Sequence, residues 1–161
     1  MAKSSDTAGV IAPPPLLALA AVIAGLGLER LYPLGIMAMI PPLPRYALAA
    51  VLFALALLVS LRAIRAFGRA GTEVKPWRPS TALVTADIFA HTRNPMYWGL
   101  GLLILAIAVA LASVWTLIAL AAYALVIHYG VVLREERYLE AKFGDAYRRY
   151  QAHVPRYGWR L

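Results

Sequence analysis

The sequence predicts an all-α integral membrane protein with four transmembrane helices, the last two a helical hairpin, and a cytoplasmic helical C-terminal tail. Three observations carry this. Hydrophobic residues make up 61% of the 161-residue chain and charged residues 15%, where soluble domains hold about 45–50% and about 25%. The apolar residues gather into runs that a water-soluble domain of this size cannot bury. Lysine and arginine sit beside those runs, abundant on one side of the expected membrane and sparse on the other.

The first run, Val10 to Leu28, has 19 residues, close to the ~20 that a hydrocarbon core requires. Pro13, Pro14 and Pro15 fall at or before its first turn, where a missing amide hydrogen costs little. A cleaved signal peptide, with Lys3 as its basic start, is the weaker reading, because a proline triplet suits its apolar core poorly. Between Arg45 and Arg62 lies a second run, Tyr46 to Leu61. Its 16 residues reach only ~24 Å as a helix, so the arginines snorkel or the helix extends towards Phe67. The intervening stretch, Leu31 to Pro44, is broken by Pro33, Gly35, Pro41, Pro42 and Pro44 and reads as an interfacial loop.

From Asn94 to Leu133 no side chain carries a formal charge over 40 residues, ~60 Å of helix and twice a bilayer core. The chain must turn back, and Ala112-Ser113 near the midpoint is the expected tip. The spans are therefore read at 10–28, 46–67, 96–111 and 114–133, in one domain over 1–161, with a loop at 68–95 and a tail at 134–161.

Orientation follows from the basic residues. The segment that follows the second apolar run carries Arg62, Arg65, Arg69, Lys75, Arg78 and Arg93, and the tail carries Arg134, Arg137, Lys142, Arg148, Arg149, Arg156 and Arg160. Between the first two spans there are only Arg30 and Arg45. Both termini are expected in the cytoplasm. The net charge of +8 then meets anionic lipid headgroups, and no nucleic-acid partner is expected. With no cysteine there is no disulfide, thiolate nucleophile or cysteine metal site, and no metal centre is expected.

In the tail, Phe143-Gly144 is read as a helix stop and Asp145 as the cap of a second short helix. Phe143, Tyr147, Tyr150 and Val154 recur there at helical spacing, a pattern suited to an interface anchor or a lid.

Two clusters can carry chemistry. The first is His91-Thr92-Arg93-Asn94-Pro95-Met96-Tyr97-Trp98-Gly99-Leu100-Gly101. Pro95 pre-sets a helix start whose free amides attract anions, and Gly99 and Gly101 allow close approach one turn in. The same residues also serve as a basic anchor, an aromatic belt and packing notches in any membrane helix. The second cluster is Arg134-Glu135-Glu136-Arg137, where the last span emerges. His128, Val132 and Glu135 fall on one stripe of a regular helix. His128, a titratable group inside an apolar run, is expected to face protein or a water-filled cavity.

The pattern Arg93-Asn94-Pro95-Met96-Tyr97-x-Gly99, then a hydrophobic hairpin, then Glu135-Glu136 with Leu139, Phe143-Gly144 and Tyr147, resembles the isoprenylcysteine carboxyl methyltransferase and phospholipid methyltransferase group. Gly71-Thr72-Glu73-Val74-Lys75-Pro76 with Leu83-Val84-Thr85 resembles its bacterial branch, which implies an inner membrane location. The resemblance covers roughly Gly71 to Arg156. It implies S-adenosylmethionine as methyl donor, held where the hairpin meets the tail by His91, Arg93, Asn94, Pro95, Tyr97, Gly99, Gly101, Glu135, Glu136 and Tyr147. The implied acceptor is a lipophilic or lipid-linked molecule, a prenylcysteine-like carboxylate or a phospholipid amine, entering from the bilayer. A carboxylate acceptor needs only a cation such as Arg93 or Arg156 to hold it. An amine or hydroxyl needs proton removal, for which His91 is the first candidate and His128 the second. Two positions depart from the pattern: Asp87-Ile88 stands where a Gly-Pro pair is often seen, and Asn94 where isoprenylcysteine enzymes usually have histidine. Two rivals stay open, a membrane reductase of the related sterol-reductase group using a nicotinamide cofactor, and a non-enzymatic four-helix membrane subunit.

Overall fold

Long apolar stretches satisfy every internal backbone group when they coil, and the chain does this wherever proline permits a start. The computed structural model describes residues 6–158; Lys3 and Arg160 lie outside them. Among the described residues all regular structure is helical: α1 (Pro14–Leu31), α2 (Pro42–Arg69), α3 (Pro95–Ala110), α4 (Val114–Ile127), a π turn (His128–Val132), α5 (Leu133–Phe143) and α6 (Asp145–His153). Single 3-10 turns occur at Ile36–Met39 and Asp87–Ala90. Three helical stretches are long and apolar enough to cross a membrane: Pro14–Leu31, Pro42–Arg69 and Val114–Phe143. The apolar helix α3 has 16 residues, about 24 Å of rise.

Helix boundaries differ from the sequence reading for local reasons. Three of the four long apolar helices begin on proline (Pro14, Pro42 and Pro95), since its fixed φ suits a first turn. The interfacial loop expected over Leu31 to Pro44 is therefore shorter, because Pro42 opens α2. At its other end α2 runs on to Arg69, which resolves the shortness of the run between the two arginines. The tip of the hairpin turns without glycine: Ala112 takes a left-handed φ of 55°. Ser113 then caps α4, its hydroxyl accepting from the Thr116 amide at 3.1 Å. Gly144, with φ 53°, ends α5 as expected. Asp145 does not cap α6; its carboxylate pairs with Arg148 at 2.6 Å, one turn along the same helix.

The chain divides into two compact units. One gathers the described residues of Met1–Pro13 with Val59–Met96 and the described part of His128–Leu161. The other holds Pro14–Leu58 and Tyr97–Ile127.

In the second unit α1 packs along α4. Pro14, Ala18 and Gly25 form the buried face of α1, and Thr116, Tyr123 and Ile127 that of α4. A Cβ on Gly25 would stand 2.5 Å from Thr116 Cα, so only glycine permits this approach. Glu29, at the end of α1, accepts from the Ser113 hydroxyl at 3.0 Å and the Trp115 amide at 3.3 Å. A carboxylate thus sits at the positive end of the α4 dipole. Trp115 Nε1 donates to the Tyr32 carbonyl at 2.8 Å.

In the first unit the end of α2 packs on the 3-10 turn. Ala63, Ala66, Ile88 and Phe89 are buried together, with Val59, Phe67, Val84 and Met96 around them. Phe67 and Phe89 meet edge to face at 5.2 Å. Asp87, at one of the two positions that depart from the resembled pattern, takes a left-handed φ of 58°, a conformation Asp tolerates better than most residues. Arg69 holds its carboxylate at 3.0 Å and Arg62 stands at 4.0 Å.

Candidate active site

The site is built where α5 leaves the π turn. A π turn closes i→i+5 bonds and takes up one residue more than an α turn, so the residues of α5 are set back by about 100° around the axis. In a regular helix Glu135 would share the stripe of His128 and Val132. The π turn overturns that expectation: Val132 and Glu136 are buried, whereas Glu135 is half-buried.

Two arginines hold Glu136. Arg156 reaches it with both ends of its guanidinium, Nε to Oε1 at 2.9 Å and Nη2 to Oε2 at 2.7 Å, the bidentate geometry that favours arginine over lysine. Arg93 Nη1 lies 2.9 Å from Glu136 Oε1, both side chains 9% exposed. That contact is ionic without being directional, since Arg93 Nη1 and Nε are buried with no aligned hydrogen-bond acceptor. The Thr92 hydroxyl is likewise buried and unpartnered. The Arg93 guanidinium also stands beside the Tyr147 hydroxyl. Burial, then the nearby Glu136 charge, pushes the Tyr147 phenol up to about 12. Pairing with Glu136 raises Arg156 above its ordinary value.

The tail returns to this centre through its backbone. The Arg93 amide donates to the Pro155 carbonyl at 3.0 Å and Asn94 Nδ2 to the Arg156 carbonyl at 3.1 Å. Tyr150 donates to the Phe89 carbonyl at 2.7 Å. Tyr147 and Val154 are buried, so the aromatic face of α6 is used inside the unit.

Of the residues singled out from sequence, Arg93, Asn94, Glu136, Tyr147 and Arg156 are linked by these contacts, and Pro95 is fully buried at the start of α3. His91 is exposed at the end of the 3-10 turn. Tyr97, Gly99 and Gly101 lie along α3 in the other unit. There a Cβ on Gly101 would meet only Leu120 Cδ1, at 3.9 Å. His128 accepts or donates a 2.7 Å hydrogen bond with Tyr157, according to its tautomer.

Sequence reasoning placed Thr92 in the first cluster but gave its side chain no role of its own. It missed the segment 6–13, which lies along α5. Arg134 Nη1 donates to the Gly9 carbonyl at 2.9 Å, and Lys142 pairs with Asp6 at 2.7 Å. The Tyr138 hydroxyl accepts from the Ser80 amide at 3.0 Å and donates to Asp6 Oδ1 at 3.1 Å. The one signal was Gly130, a glycine in the middle of an apolar helical run.

The comparisons with known proteins bear on residues of this unit. A 62-residue stretch, 38% of the chain, is 42% identical to an uncharacterised protein of Haemophilus influenzae, spanning 98% of that protein. No solved structure matches the chain. The family model for phospholipid methyltransferases matches residues 44–146, and so includes Arg93, Glu136 and the π turn. The chain belongs to the phospholipid methyltransferase family.

Proposed function

We propose that this chain is an integral membrane methyltransferase that uses S-adenosylmethionine and acts on a lipophilic or lipid-linked acceptor. The observation that carries the reading is the Arg93–Glu136–Arg156 cluster, its Arg93–Glu136 pair buried where the family pattern has its two motifs and Arg156 half-buried beside it. The residues fit the donor on one test. Arg93 Nε and the Thr92 hydroxyl are buried donors without acceptors, and unsatisfied buried donors are costly unless a ligand supplies the acceptor.

When bound, the donor supplies an electrophilic methyl group on a sulfonium, transferred by in-line displacement. Arg93 and Thr92 would hold the donor's carboxylate. Glu136 fixes both guanidiniums so that they need no reorganisation on binding. Glu135, half-buried one residue earlier, offers a carboxylate to the donor's cationic groups. Asn94 and Pro95 fix the loop that carries Arg93, and Tyr147 closes the site against water. His91, Tyr97, Gly99 and Gly101 enter this reading through the family pattern alone. Arg93 or Arg156 would hold a carboxylate acceptor, and His91 would take the proton of an amine.

The same reading treats residues 1–161 as one domain with four spans, α3 being the short one. Both termini, the loop and the tail face the cytoplasm of a bacterial inner membrane. Calorimetric titration of the detergent-solubilised protein with S-adenosylmethionine tests it, with reduced nicotinamide cofactor as the comparison. Binding of the methyl donor alone is expected. Binding of the nicotinamide cofactor alone would assign the chain to reductase chemistry, and binding of neither would leave a non-enzymatic subunit.

A further inference from the structure

The segment 6–13 crosses the π turn at one point. The Ile11 amide donates to the Gly130 carbonyl at 3.2 Å, and the Ile11 side chain occupies the place where a Cβ on Gly130 would stand. Before this crossing the segment is fastened to α5 at two points, by Arg134 to the Gly9 carbonyl and by Lys142 to Asp6. Gly130 is the central residue of the five-residue turn. A π turn is less regular than the helix around it, and a polar contact from outside the helix stabilises one where the pitch changes.

The register of α5 depends on that turn. In the observed register Glu136 is buried and meets Arg93 and Arg156. Relaxed to a regular helix, the same stretch would rotate α5 by about 100° and turn Glu135 towards the arginines.

We propose that the segment 6–13 is a strap that holds the π turn through Ile11 and Gly130 and thereby positions Glu136. Ile11 and Gly130 are positioning residues; neither needs to touch a substrate. The consequence for donor binding rests on the function proposed above, whereas the hold on the π turn does not. A proline at position 11 removes the amide hydrogen without removing the strap, and leucine keeps the hydrogen and an apolar side chain of the same size.

Hydrogen exchange followed by mass spectrometry on the full-length detergent-solubilised protein tests the hold. In Ile11→Pro, exchange over residues 128–137 is expected to rise at least tenfold while residues 95–110 keep their protection; Ile11→Leu is expected to behave as the parent. A chain lacking residues 2–11 gives the same reading if the proline variant fails to fold. Unchanged exchange over 128–137 in both altered chains overturns the proposal. Calorimetry with S-adenosylmethionine tests the positioning: its Kd is expected to rise at least fivefold in Ile11→Pro and to stay at the parent value in Ile11→Leu. Raised exchange with unaltered affinity overturns the positioning of Glu136. If the parent protein does not bind S-adenosylmethionine, the proposed function fails, and the exchange result alone decides whether the strap holds the turn.

Discussion

Arg93 and Arg156 remain charged at any pH the protein meets, so one buried glutamate leaves their cluster with an excess positive charge. In the proposed function such a centre receives the donor's carboxylate, and Glu136 acts on it mainly through the two guanidiniums it orients. Glu136→Gln keeps the shape and removes the charge. It is expected to weaken S-adenosylmethionine binding about ten- to a hundredfold, since charge-assisted hydrogen bonds contribute about 1.5–3 kcal/mol. Glu135→Gln, at the half-buried position, is expected to do less; calorimetry on both variants checks the order. Tyr147 gives a pH prediction. Burial favours its neutral phenol and pushes it up to about 12, above the ~10 of a free tyrosine. Its contribution to stability is therefore complete below pH ~10 and is lost as pH rises through ~12. Thermal melts at pH 9 and pH 12 should differ less for Tyr147→Phe than for the parent chain.

Among the elements, two glycines on apolar helices have opposite surroundings. At Gly25 an added Cβ stands 2.5 Å from Thr116 Cα and 2.9 Å from its amide nitrogen, and backbone cannot yield as a side chain does. Gly25→Ala is expected to destabilise by about 1–3 kcal/mol, read as a lowered midpoint in thermal unfolding. At Gly101 the nearest atom is a leucine methyl at 3.9 Å, so Gly101→Ala should melt like the parent. Gly101→Leu is expected to impair donor affinity more than stability; equal losses would make the glycine a packing feature. The helices themselves were legible because hydropathy reports length directly: the charge-free run from Asn94 to Leu133 forced a reversal, and Ser113 supplied its cap. Arg93 and Glu136 were legible as charges at the ends of apolar runs. What was not legible has physical reasons. Period analysis assumes 3.6 residues per turn, so the π turn escaped it. Asp145 looks like a cap to any sequence rule, yet Arg148 claims its carboxylate. The segment's partners lie 119–136 residues away (130 − 11 for Ile11 and Gly130, 142 − 6 for Asp6 and Lys142), beyond any local pattern.

For the whole molecule, the orientation proposed from the basic residues can be tested with engineered thiols, because the chain has no cysteine of its own. Ser113 is fully buried and would not react from either side. Leu111, 57% exposed at the hairpin tip, is the better reporter of the far side, and the exposed Ala141 on α5 reports the cytoplasm. An impermeant thiol reagent applied outside intact cells is expected to label Leu111→Cys and to spare Ala141→Cys. Labelling of Ala141→Cys from outside would invert the topology.

The cap that Glu29 places on α4 also sets a timetable. Ser113 lies 84 residues after Glu29, and chains grow at about 5–20 residues per second. For roughly 4–17 s after its synthesis, the carboxylate at the end of α1 has the nearby Leu34 amide on one oxygen but not the Ser113 and Trp115 donors on the other. During that interval water or a headgroup must solvate it, so this end of α1 has to stay at the membrane surface and not sink into the core. The arrival of Ser113 and Trp115 then releases that solvent, and α1 locks against α4 only when the hairpin has been made. Helix α1 is thus completed by α4, and a ribosome pause between α2 and α4 would prolong the exposure of Gly25 and its bare face.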